Sequence, residues 1–232
     1  MYQNLYICVF NTMSMFSQSE ENYLKAIFHL TTAEKRGIST NAIAEKLATK
    51  PSSVTDMIRK LSDKKVVSYK KYYGVTLTNS GRKIAANIVR KHRLWEVFLV
   101  EKLQFSWDEV HDVAEQLEHI QSPKLIQQLD HFLGFPTQDP HGDPIPDQDG
   151  NLKAIEKRLL STLLKNESGV CIGVDDSSSE FLQFLDKRGI TLGKHIKVLE
   201  KEAFDDSLII EINQQKMTIS KKIANNLYIQ KS

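Results

Sequence analysis

In residues 17–31, Tyr23, Leu24, Ile27, Phe28 and Leu30 recur at three- and four-residue spacing, one face of an α-helix, with Ser17 or Ser19 to cap it. After a break at residues 35–37, Ser39, Thr40 and Asn41 can cap a second helix to Leu47, with Ile43, Ala44 and Leu47 inward. Pro51 stands at the first turn of a third helix, residues 52–64. Residues 66–69 and 72–78 have the pattern of two strands around Lys70-Lys71. A supporting helix, two short helices and a hairpin make a winged helix-turn-helix.

Asn79-Ser80-Gly81 opens a long helix to about Leu103, with Ile84, Ile88, Trp95, Phe98 and Leu99 apolar. Further helices are expected at 107–120 and 123–133, a group able to supply a dimer interface. Residues 134–150 hold four of the six prolines with Gly142 and Gly150, which marks a linker. A short helix is expected at 154–166. Strands then follow at 170–174, 194–201, 207–213 and 216–220, with a helix at 181–187 and turns at Gly189 and Gly193. A small β-barrel fits that run. The expected fold class is mainly α with small β parts: a winged helix-turn-helix at 17–80, a helical domain at 81–150 and the barrel at 151–232. Residues 1–16 are expected to be an N-terminal extension, with Met13 or Met15 as the alternative start.

Charge changes this picture. The net of +2 hides 17 Lys+Arg against 8 Asp+Glu in residues 16–104, and 14 against 21 in residues 105–232. A basic first half is the footprint of a nucleic-acid-binding module, although charge alone equally fits a solvated face. On the third helix and wing, Lys50, Ser52, Ser53, Thr55, Asp56, Arg59, Lys70, Lys71 and Tyr72 are the candidate DNA contacts. Hydroxyls at a helix start reach bases or phosphates, while Lys and Arg neutralise phosphates. Cys8 and Cys171 are too few for a disulfide scaffold and fit a reducing cytosol. No apolar run reaches the roughly 18 residues of a membrane span.

The candidate chemistry lies at 91–120. Taking His111 as origin, a helical step of about 100° puts Glu115 near 40°, Glu118 near −20° and His119 near 80°. These potential ligands share one face opposite Val110, Val113, Leu117 and Ile120, so replacing them is not expected to open the core. His92 and Glu96 are one turn apart on the preceding helix. Imidazole and carboxylate without thiolate suit Mn(II), Fe(II) or Zn(II).

The run PSSVTDMIRKLSDKKVVSYKKYYGVTLTNSGRK resembles the winged helix of the diphtheria-toxin-repressor family of metal-dependent transcriptional repressors, with most similarity to its manganese transport regulators. RKHRLWE and EVHDVAEQLEH resemble that family's two metal-binding segments, and PHGDPIP the signature closing its dimerisation domain. The tail from Ser168 is similar to the SH3-like (FeoA-like) domain of the long members. The resemblance implies an ancillary site of His92, Glu96 and His111, joined by Glu180, and a primary site of Asn22, Glu115, Glu118 and His119. Glu115, where iron-type members carry Cys, points to Mn(II), with Fe(II) as the alternative. Asn22 replaces an Asp of the manganese members. Lys25 replaces a Glu that holds their second ion, which implies that no tightly coupled two-metal centre forms. The expected function is a homodimeric, cytoplasmic repressor of metal-uptake genes that binds a palindromic double-stranded operator and is not an enzyme. A metal-dependent hydrolase or a metal-buffering protein is the alternative, although neither HExxH nor a nucleophile elbow occurs.

Overall fold

The computed structural model describes residues 16–33, 37–153 and 155–231; residues 1–15 and the expected break at 35–36 lie outside the described residues. Two compact units emerge: Met1–Trp95 with Glu115–Phe135 and Pro146–Leu152, and Glu96–Ala114 with Pro136–Ile145 and Lys153–Ser232.

In the first unit, α1 (Gln18–Ala33) begins with a reciprocal capping box. The Ser17 hydroxyl accepts from the Glu20 amide at 3.3 Å, and the Glu20 carboxylate accepts from the Ser17 amide at 2.8 Å. Tyr23, Leu24, Ile27 and Phe28 are buried, as their spacing requires. Ser39 caps α2 (Thr40–Lys46) through the Ala42 amide at 3.1 Å. In α3 (Pro51–Asp63), Val54, Ile58 and Leu61 turn inward, an i, i+4, i+7 stripe that leaves the opposite face free. The wing pairs β1 (Val67–Lys70) with β2 (Gly74–Leu77) antiparallel, Lys70 opposite Gly74. Gly74 is required there: its φ is +89°, and a Cβ would sit 2.6 Å from the Ile38 carbonyl oxygen. Thr78 starts α4 (Asn79–Leu103) by accepting from the Gly81 amide at 3.1 Å. One apolar core joins α1, α2, α3, the wing and the start of α4.

The next helix, α5, covers only Val110–Leu117, shorter than the 107–120 expected. Glu118 and His119 therefore lie in the turn beyond it, where a constant helical rotation no longer fixes their directions. Ser122 caps α6 (Pro123–Phe132).

The second unit is built on a six-stranded antiparallel sheet ordered β3-β8-β4-β5-β6-β7. Its strands are β3 (Arg158–Leu159), β4 (Ser168–Val174), β5 (His195–Lys201), β6 (Leu208–Ile212), β7 (Gln215–Ile219) and β8 (Leu227–Lys231). Helices α7 (Ser179–Asp186) and α8 (Lys221–Ala224) complete it. The helix expected at 154–166 is replaced by β3 and a 3-10 turn at Leu160–Thr162, because Arg158 and Leu159 pair with Ile229 and Tyr228 of β8. Bulges at Cys171/Gly173 and Val198/Glu200 re-aim the strands around a core that includes Leu182, Leu185, Ile196, Val198, Ile210 and Ile229.

Pro136–Ile145, expected to be linker, is instead an ordered loop fastened to β4. The His141 carbonyl accepts from the Val174 amide at 3.0 Å, and Asp139 Oδ1 accepts from the amides of His141 and Asp143 at 2.9 Å. A Cβ on Gly142 would lie 1.9 Å from the Ile172 oxygen, so only glycine allows this approach. No helix of the described residues is long and apolar enough to cross a membrane.

Candidate metal centres and nucleic-acid interface

The fully buried carboxylate of Glu118 is the centre of the first unit's polar cluster. His92 Nδ1 lies 2.6 Å from Glu118 Oε2, and Lys25 Nζ lies 2.8 Å from the same carboxylate. Lys25 also pairs closely with Glu115. Ligand atoms of His92, Glu115 and Glu118 all lie within 4.8 Å of one another. Beside them, His119 Nδ1 is 2.5 Å from Glu21 Oε2, and Gln121 Nε2 donates to Glu21 Oε1 at 2.9 Å. Helix α1 is thus held to the turn after α5 by Glu21–His119 as well as Lys25–Glu115/Glu118.

Asn22 Oδ1 and Lys91 Nζ are among the polar atoms of this unit that are buried without a hydrogen-bond partner in the described residues. Burial pushes the Lys91 ammonium below its usual pKa, opposed by the carboxylates of Glu21 and Glu118. An orphaned buried amide oxygen is costly unless something supplies it with a positive partner. The set that the resemblance implies, Asn22, Glu115, Glu118 and His119, has the hard-to-borderline donor chemistry that suits a divalent first-row ion, and within it Glu115 and Glu118 lie in ligand range of each other and of His92. The sequence missed Glu21 and Lys91 as members of this cluster and read Lys25 only as the replacement of a second-ion Glu.

His92, which the resemblance groups with Glu96 and His111, lies one turn from Glu96 on α4 and also meets the Glu118 carboxylate. Expectation and geometry part at Glu118: it is not a surface ligand, since its carboxylate is enclosed and bonded, and Ala there would remove a buried partner.

In the second unit, Glu96 is buried, with His111 Nδ1 at 3.5 Å and His141 Nδ1 at 3.8 Å from its Oε1. Glu96, Asp139 and His141 form a further group of ligand side chains, all buried. Asp139 and His141 were missed as candidates, although PHGDPIP contains His141 and was read only as a domain-end signature. The His141 Nε2 pairs with the Trp107 carbonyl at 2.7 Å, fixing the ring so that Nδ1 is turned to Glu96. Glu180, in the first turn of α7, is exposed and joins no such group among the described residues.

All the candidate DNA contacts are exposed: Lys50, Ser52, Ser53, Thr55, Asp56 and Arg59 on or beside α3, and Lys70, Lys71 and Tyr72 on the wing. Thr55 Oγ1 donates to the Pro51 carbonyl one turn back at 3.0 Å. Tyr72, 91% exposed with φ +70°, stands at the wing tip under the Lys71 ammonium, 5.2 Å from its ring centroid.

Three family models match in succession: the iron-dependent repressor N-terminal DNA-binding domain (residues 15–75), the iron-dependent repressor metal-binding and dimerisation domain (78–147) and the FeoA domain (158–231). The transcriptional regulator MntR of Oceanobacillus iheyensis is 33% identical over 144 residues, 62% of this chain and 90% of that protein. The iron-dependent repressor IdeR of Mycobacterium tuberculosis is 32% identical over 136 residues, 58% of each chain. A solved manganese-dependent transcriptional repressor in complex with manganese superposes with TM-score 0.81 at 34% identity, covering 92% of this chain and all of the other. With its winged helix, its buried His/Glu clusters and its FeoA domain, the chain belongs to the diphtheria-toxin-repressor family of metal-dependent, DNA-binding transcriptional repressors, in the long form.

Proposed function

We propose that this chain is a homodimeric, cytoplasmic repressor of metal-uptake genes, with Mn(II), or alternatively Fe(II), as corepressor and a palindromic operator as target. The buried, unpartnered Asn22 oxygen beside the Glu118 cluster carries the metal reading. The primary ion would be held by Asn22, Glu115, Glu118 and His119; when bound, it supplies a cross-link between α1 and the turn after α5. Glu115 in place of a thiolate favours Mn(II) through ligand hardness, although affinity order alone does not. Glu96, with His92 and His111 on the resemblance and with Asp139 and His141 on the geometry, supplies a second set of donors. A similar solved structure named as manganese-dependent and a relative named as iron-dependent support the two ions in turn.

DNA is read by the exposed face of α3 and the wing. Ser52, Ser53 and Thr55 at the helix start reach base edges, while Lys50, Arg59, Lys70 and Lys71 neutralise phosphates. In a dimer the two α3 helices must meet half-sites roughly 34 Å, or a multiple, apart. Ion and DNA then favour each other by the same factor.

Selection of duplexes from a random library in Mn(II), followed by anisotropy titrations with Mn(II), Fe(II), Zn(II) or chelator, tests this. The expected result is an enriched inverted repeat whose binding falls in chelator. An asymmetric motif, or affinity indifferent to every ion, refutes the reading.

A further inference from the structure

The Glu115 and Glu118 carboxylates are already served by a cation from the chain itself. Lys25 sits one turn after Glu21 and Asn22 on α1, its ammonium bridges both carboxylates, and the residue is buried. An ammonium and a divalent ion cannot share the same oxygen lone pairs, and two close cations repel where water is excluded. Two carboxylates and one ammonium leave a local charge of −1 in place of the −2 that a divalent ion would neutralise. The ammonium also does mechanically what the ion does, because it joins α1 to the end of α5.

We propose that Lys25 is the resident cation of this centre. It competes with the divalent ion for Glu115 and Glu118, raising the ion concentration at which the site fills, and it keeps α1 tied down while the ion is absent. Filling the site exchanges one tether for another instead of creating it. The proposal rests on the ligand set given above for the primary ion.

The test titrates the metal-free full-length chain with Mn(II), following free ion by electron paramagnetic resonance, in wild type, Lys25→Met, Glu118→Gln and the double variant. Lys25→Met should bind Mn(II) at this centre about tenfold more tightly or better, the scale on which groups beside an ion alter affinity. The double variant should lose that gain, and Lys25→Arg should match wild type. Hydrogen exchange of the α1 amides in metal-free protein should rise in Lys25→Met and return to the wild-type level on adding Mn(II). Unchanged Mn(II) affinity and unchanged exchange in Lys25→Met overturn the proposal. A gain in Lys25→Met that persists in the double variant overturns the ligand set instead. Should Lys25→Met fail to fold without ion, Lys25→Gln, which is neutral and still able to donate, is judged by the same outcomes.

Discussion

Arg90 Nη2 and Asp130 Oδ2 lie 2.6 Å apart with both residues buried, joining the middle of α4 to α6. Arg90 Nη1 also donates to the Pro146 carbonyl at 2.6 Å, so the guanidinium fork is used on two sides. Removing one partner leaves an enclosed charge uncompensated. Asp130→Ala should therefore destabilise the protein by about 3–5 kcal/mol, whereas the double change Arg90→Met/Asp130→Leu should recover most of the loss. Urea unfolding of both variants checks this; equal losses would show that packing, not charge, makes the contact.

On the DNA face, Arg59→Ala and Lys70→Ala should weaken binding to every duplex and each lower the salt slope by about one. Ser53→Ala and Thr55→Ala should change sequence preference more than affinity, as exposed groups at a helix start do when they reach base edges. Anisotropy titrations over a salt series, on matched and scrambled duplexes, separate the two behaviours.

His119 and Glu118 call for different substitutions. His119→Ala removes a ring held by Glu21 and should abolish ion-stimulated DNA binding while the fold survives. Glu118→Ala strips a fully buried carboxylate from His92 and Lys25 and should destabilise by about 1–3 kcal/mol as well. Thermal melts with and without Mn(II) distinguish them, since an ion that binds only the native state raises the midpoint.

His29 sets an acid limb. Burial, with help from the nearby cations Arg93, Lys25, Lys46 and His92, pushes its pKa down to about 3. The unfolded chain takes up this proton near pH 6.5, and the folded chain does not until about pH 3. The unfolded state binds more protons throughout that window, so stability falls as pH drops from about 6.5 to about 3. His29→Gln should flatten the decline; an unchanged slope in urea midpoints against pH would exclude His29 as its source.

Much of this was legible in the residues. The helix spacing and the turn read around Lys70-Lys71 outline the winged helix, although the second strand starts at Gly74 and not at residue 72, and the exposed DNA face follows as the complement of the stripe Val54, Ile58, Leu61. Legibility stopped where tertiary pairing decides. Leu159, Leu160, Leu163 and Leu164 have helical spacing, yet Arg158–Leu159 gains more by completing a ladder with β8, a strand at the far end of the chain that the pattern did not suggest. At the metal cluster, composition identified the ligand types but not their partners. Lys25 counts in sequence only as a missing carboxylate, and nothing local says that its ammonium crosses to residues 115 and 118. Asp139 and His141 sit among prolines that signal a linker, and only their closeness to Glu96 reveals another role.

The capping box at the start of α1 has a mechanical consequence. The Glu20 carboxylate that closes it also holds Lys64 at 2.7 Å, the residue ending α3. The first turn of α1 therefore grips the recognition helix by its tail and, two residues on, carries the Asn22 oxygen. On the proposed ligand set, an ion held at Asn22 acts on the same turn that grips α3 through Glu20 and Lys64, with no loop between the two contacts. A residue inserted between Glu20 and Asn22 would rotate the two contacts about 100° apart and so break the coupling of ion sensing to DNA reading.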